Sequence, residues 1–102
     1  MNLEAVRPSR QPVDEMKQIV APVMESQARQ RIISLLFSAP QGPTEIASIL
    51  GLSQPYISNH LAALKSHRLV RSQRLGRRTV YELEDKARQG MMQAFSSAEY
   101  MT

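Results

Sequence analysis

The apolar positions of this chain change period twice, from helical to alternating and back to helical. From Val13, the residues Val13, Met16, Val20 and Val23 or Met24 recur at helical spacing. Pro22 is expected to kink or end that first helix, because its ring clashes with the preceding turn. Ser26 is placed to cap a second helix, whose apolar face is Ile32, Ile33, Leu35, Leu36 and Phe37. The run Ala39-Pro40-Gln41-Gly42-Pro43 is a break. A short third helix is predicted from about Thr44 to Leu50 and is stopped by Gly51. Ser53 caps a fourth, from Gln54 to about Ser66, with Pro55 in the first turn, where a missing N–H costs nothing. After Leu69 the pattern alternates, so Val70 to Leu75 and Arg78 to Leu83 read as strands joined around Gly76. Asp85 opens a last helix with Ala87, Met91, Ala94 or Phe95 and Ala98 on one stripe.

Four helices, a hairpin and a final helix predict a mostly α fold with a small β-hairpin, arranged as a winged helix-turn-helix. The third and fourth helices flank the tight Gly51-Leu52-Ser53 turn, and the hairpin that follows is basic. Residues 1–12, polar and carrying Pro8 and Pro12, read as a flexible tail, which leaves 13–100 as the one domain.

Charge sharpens this picture. The formal net charge is +4 over 102 residues, but it is not evenly spread. Residues 1–45 are neutral overall and 82–102 are acidic, whereas 46–81 hold Lys65, Arg68, Arg71, Arg74, Arg77 and Arg78 with no acid. A polyanion is the natural partner of such a block, and a merely solvated basic face is the alternative. Composition closes other routes. No apolar run is long enough to span a bilayer, and the polar N-terminus lacks the core of a secretory signal. The absence of cysteine excludes a disulfide scaffold, a thiolate metal site and a cysteine nucleophile, and makes the cytoplasm the expected compartment. There is no glycine-rich phosphate loop and no histidine–carboxylate cluster, so neither an enzyme nor a cofactor is expected.

On the fourth helix, Ile57, Leu61 and Leu64 share one stripe and must face the core. The opposite side presents Pro55, Asn59, Ala62 and Ser66, flanked by Tyr56, Ser58, His60 and Lys65. Small residues allow close approach to base edges, and Asn, Ser and Tyr can hydrogen-bond them. Gln54, Tyr56, Ser58, Asn59, His60 and Lys65 are therefore the candidate DNA contacts of this helix. In the hairpin, Arg71, Arg74, Arg77 and Arg78 straddle Gly76, where long cationic side chains can reach phosphates or the minor groove. Protection of a strand edge by charge is the plainer use of the same residues.

The segments SQARQRII (26–33), EIA (45–47), GLSQPYISNHL (51–61), LV (69–70) and GRRTVYEL (76–83) resemble the ArsR, or arsenical-repressor, family of bacterial regulators. The resemblance spans about residues 13–100. It implies a homodimeric repressor that leaves its operator when an effector binds, with the first and last helices at the dimer interface and the fourth in the major groove. The family's sensing patterns are missing. The third helix, TEIASIL, lacks the cysteines that bind arsenic, cadmium or lead in relatives. The last helix reads Asp85-Lys86-Ala87 where zinc or nickel sensors offer an Asp-x-His pair. His60 and His67, seven residues apart on one helix, stand about 10 Å from each other and cannot share an ion, so no metal site is expected; His60 reads instead as a DNA-side or helix-packing residue and His67 as a surface residue.

Apolar stripes on both terminal helices suggest a two-fold homodimer, with Val13, Met16, Val20, Met91, Phe95 and Ala98 at the interface. The methionines near that seam (Met16, Met24, Met91, Met92) can fill irregular gaps or, less simply, bind a cuprous ion or register oxidation. The expected partners are an inverted-repeat double-stranded operator and a second copy of the chain, with no membrane. Two other readings stay open: a winged-helix module that binds protein, and a DNA-binding repressor controlled by a partner or by its own abundance.

Overall fold

A computed structural model describes residues 12–100, with side chains placed for 17–94. The elements are α1 (Pro12–Met24), α2 (Gln27–Ser38), α3 (Pro43–Leu50), α4 (Gln54–Ser66), β1 (Val70–Leu75), β2 (Arg78–Leu83) and α5 (Asp85–Tyr100). This is the mostly α, winged helix-turn-helix order that the change of period predicts. The tail expected over residues 1–12 lies, apart from Pro12, outside the described residues.

The helix ends follow local chemistry. The Ser26 hydroxyl accepts a hydrogen bond from the Arg29 N–H, and the Ser53 hydroxyl one from the Tyr56 N–H. Each satisfies a first-turn donor that the helix itself cannot pair. Gly51 ends α3 with φ of 69°, and the next residue, Leu52, donates back to the Ala47 carbonyl. A glycine enters this left-handed conformation without a Cβ clash. One expectation needs correction. Pro22 does not end α1, which continues to Met24. Only two residues follow the proline, and its own carbonyl is taken by the Arg29 guanidinium at 3.0 Å.

The strands pair antiparallel, from Val70 opposite Leu83 to Leu75 opposite Arg78. Between them Gly76 has φ of 64°, whereas Arg77 is not in the positive-φ region. Positive φ at the first central residue alone marks a type II′ turn, whose twist suits a two-residue hairpin. Gln41, inside the predicted break, also pairs with the far side of β2, exchanging both backbone hydrogen bonds with Tyr81 at 3.0 and 2.8 Å. The hairpin is thus anchored on both edges of its second strand.

The core gathers side chains from most of the elements: Ile32 and Leu36 from α2, Ile46 from α3, Ile57, Leu61 and Leu64 from α4, Leu69, Val70, Leu83 and Met91. α2 has no basic residue in its last turn, so its final carbonyls need an outside donor. Arg88 of α5 supplies it, donating to the Phe37 and Leu36 carbonyls at 3.1 and 3.3 Å while its guanidinium lies 5.3 Å from the Phe37 ring centre. Among the described residues, no helix is long and apolar enough to cross a membrane.

Candidate nucleic-acid interface

The α4 stripe of Ile57, Leu61 and Leu64 is fully buried, which fixes the rotation of the helix. Gln54, Pro55, Tyr56, Asn59, Ala62, Lys65 and Ser66 consequently face solvent, and Ser58 is half-buried at the edge. This surface is polar and low in bulk. The Lys65 ammonium donates to the Ser72 hydroxyl at 2.9 Å, so the last turn of α4 is tied to β1. Gln54, Tyr56, Ser58, Asn59 and Lys65 therefore share one accessible side of the helix beside the hairpin.

His60 does not stand with them as an outward contact. Its Nδ1 accepts a hydrogen bond from the Arg29 Nε at 3.0 Å, and its ring meets Tyr56 edge to face with centres 4.6 Å apart. Burial first, and the neighbouring Arg29 charge second, hold its pKa below the usual histidine value.

The four hairpin arginines divide into two kinds. Arg71, at the base, departs from the expected phosphate contact. Its guanidinium bonds Glu82 at 2.8 Å and Glu84 at 2.9 Å, and Asp85 lies 3.8 Å away. Three carboxylates compensate that cation. The Arg71–Glu82 pair sits directly across the strands and thus locks their register. Arg78 is drawn back to Glu45 of α3, which ties the hairpin to the helix-turn-helix. Arg74 and Arg77 are exposed and make no ion pair among the described residues, and neither does the exposed Arg68 at the neck of the hairpin. The acid-free block of the sequence is thus partly neutralised from its flanks, which leaves Lys65, Arg68, Arg74 and Arg77 as its cations without an ion-pair partner among the described residues. Leu75, 52% exposed, accompanies them at the tip.

The residues expected at a dimer seam also separate. The side chains of Val13, Met16, Phe95 and Ala98 lie outside those described. Val20 is half-buried. Met91 corrects the expectation: it is 1% exposed in the single chain and belongs to the chain's own core. Its neighbour Met92 and Met24 at the end of α1 point outward instead, at 56% and 59% exposure. Ile19 of α1 packs over Gly90 of α5, where a Cβ would meet the movable end of its side chain, Cδ1, at 2.5 Å. Among the described residues, no three histidine or carboxylate side chains are gathered where they could hold a metal ion.

Comparison with known proteins agrees with this geometry. Residues 26–72, from the cap of α2 into β1, match the sequence model of the bacterial regulatory protein, arsR family. The HTH-type transcriptional regulator Rv2034 of Mycobacterium tuberculosis is 39% identical over 56 residues, which cover 55% of this chain and about half, 52%, of that protein. Among solved structures, the fold resembles the homodimeric winged helix-turn-helix DNA-binding domain (fragment 1–100) of Mb0332 from Mycobacterium bovis, a possible ArsR-family transcriptional regulator. The two share 25% identity over 99% of this chain and 90% of that one, with a TM-score of 0.69. HlyU from Vibrio cholerae, 22% identical over 87% of this chain and 97% of that one, has the same fold with a TM-score of 0.70. Over its helix-turn-helix and the start of its wing, residues 26–72, the chain is similar to the arsR family of bacterial regulatory proteins.

Proposed function

We propose that residues 13–100 form a homodimeric DNA-binding domain that represses transcription by occupying an inverted-repeat operator. The observation that carries this reading is the solvent face of α4, small and polar, presented directly after a capped turn and beside a hairpin whose tip holds Arg74 and Arg77, unpaired among the described residues. In this reading Tyr56, Ser58 and Asn59 touch base edges, Gln54 and Lys65 flank them, and Arg74 and Arg77 meet the phosphates. The homodimeric state of the Mycobacterium bovis domain supports a two-fold assembly here, with α1 and α5 at the seam. Two reading helices related by a two-fold axis require half-sites about one helical turn apart, or a multiple of it. With no cysteine in the chain, the release signal is not a metal held by thiolates.

Selection of bound sequences from a randomised duplex tests the assignment. Wild type is expected to enrich an inverted repeat. Asn59→Ala is expected to relax the preference at one position of each half-site while weakening binding by about 1–3 kcal/mol per half-site. An Asn59→Ala protein that keeps the same site and the same mismatch penalties removes Asn59 from the reading face.

A further inference from the structure

One guanidinium joins three parts of the molecule that DNA recognition must keep in register. Arg29, in the first turn of α2, has a side chain only 15% exposed. It donates to the Pro22 carbonyl in the last turn of α1 at 3.0 Å and to the Glu25 carboxylate in the α1–α2 link at 3.1 Å. Its Nε donates to His60 Nδ1 on α4 at 3.0 Å. α1 is the helix assigned above to the dimer seam, and α4 is the helix assigned to the bases. Arg29 is the direct polar bridge between them among the described residues.

This bridge works with only one protonation state of His60. An arginine does not give up its proton, so Nε is always a donor. The imidazole can accept at Nδ1 only when neutral, with its hydrogen on Nε2. An imidazolium would set an N–H and a positive charge against the N–H and positive charge of Arg29. The groups facing His60 offer no relief. Among the described residues they are Arg29 from α2 and the Tyr56 ring one turn back on α4, while Glu25, whose side chain is 64% exposed, touches the far side of the guanidinium.

Resting on the DNA-binding function proposed above, we propose that His60 is a positioning residue. Its neutral ring, held by Arg29, sets α4 against the α1–α2 corner, and protonation of that ring releases the helix and lowers operator affinity. The sign distinguishes this role from direct contact. A histidine touching phosphate gains affinity for DNA when it becomes charged, whereas a positioning histidine loses it. His67, the other histidine, is exposed at the end of the same helix and makes no such bridge among the described residues.

The test is fluorescence anisotropy of the full chain on a labelled duplex from upstream of its own gene, from pH 8 to 5.5 at constant ionic strength. Wild type, His60→Asn and His67→Asn are compared. Asparagine puts an amide oxygen near the place of Nδ1 and does not titrate in this range. Wild-type affinity is expected to hold at alkaline pH and then fall by up to about tenfold per pH unit for each chain below the His60 pKa. His67→Asn should follow wild type, and His60→Asn should stay flat. A wild-type affinity that rises on acidification, or a His60→Asn profile that matches wild type, overturns the proposal. A second measurement needs no DNA: the imidazole pKa of His60 followed by NMR in wild type and in Arg29→Gln. It is expected to move upward when Arg29 is replaced, and an unmoved value overturns the pairing itself. Absence of DNA binding at pH 8 with a normal NMR shift refutes the proposed function and leaves the Arg29–His60 bridge standing.

Discussion

At the scale of single residues, Arg68 shows how far local rules reach. It follows the α4 cap with φ of 61°, the one non-glycine residue with positive φ among those described. Its N–H bonds the Lys65 carbonyl at 2.9 Å, and the Leu69 N–H bonds the Leu64 carbonyl at 3.0 Å. These two bonds make a Schellman ending, with the buried Leu69 and Leu64 as its apolar contact. Glycine usually occupies the left-handed position, because a Cβ there costs about 1–2 kcal/mol. The greater freedom of glycine in the unfolded chain offsets part of that gain. Arg68→Gly is therefore expected to stabilise the domain by about 0.5–1 kcal/mol, read as a Tm higher by about 2–8 °C. A lower Tm would mean that the arginine side chain makes a contribution larger than the strain.

At the scale of elements, the hairpin combines an anchored base with an unpaired tip. Arg71 is occupied by Glu82 and Glu84, and Arg78 by Glu45, while Arg74 and Arg77 are unpaired among the described residues. The salt dependence of DNA binding separates these roles, because each phosphate neutralised contributes about −0.9 to the logarithmic slope. Replacing Arg74 and Arg77 together by Ala removes four charges per dimer and should flatten the slope by up to about four units. Arg71→Ala should leave the slope nearly unchanged and show its effect in hairpin stability instead. Glu45→Gln releases Arg78 and should steepen the slope by up to about two units per dimer. A slope that responds to Arg71 as strongly as to the tip would mean that the carboxylates yield the guanidinium to DNA.

At the scale of the whole molecule, two adjacent methionines of α5 face opposite ways. Met91 is sealed in the chain's own core and Met92 is exposed. Met91→Glu buries a charge without a partner and should cost several kcal/mol, enough to unfold a domain of this size. Met92→Glu should leave the circular dichroism spectrum intact but weaken self-association through the proposed seam, seen as slower-sedimenting species at micromolar concentration. If Met92→Glu leaves a dimer unchanged, the seam runs elsewhere on the terminal helices.

The elements were legible in the sequence because each is written in neighbouring residues. Ser26 and Ser53 cap, Gly51 and Gly76 turn, and the helical spacing of Ile57, Leu61 and Leu64 orients α4, all without reference to distant parts of the chain. The small polar face of α4 was legible for the same reason: it is the complement of a buried stripe. What the sequence could not show is which charged and apolar side chains were already engaged. Arg71 and Arg78 read as free cations within residues 46–81, but Glu82, Glu84 and Glu45 flank that block and close on them in three dimensions. His60 read as either a DNA-side or a helix-packing residue, and only the fold brings Arg29, 31 positions earlier, against its ring. Met91 read as seam and is core, since one helical stripe cannot say whether its cover comes from the same chain or another. Gln41 paired with β2 from within a predicted break, because a single bridging residue has no period to detect. Periodicity and capping are short-range, so they survive in a one-dimensional record. The partners of a charge or of an apolar face are set by long-range packing, and they emerge only when the chain is folded.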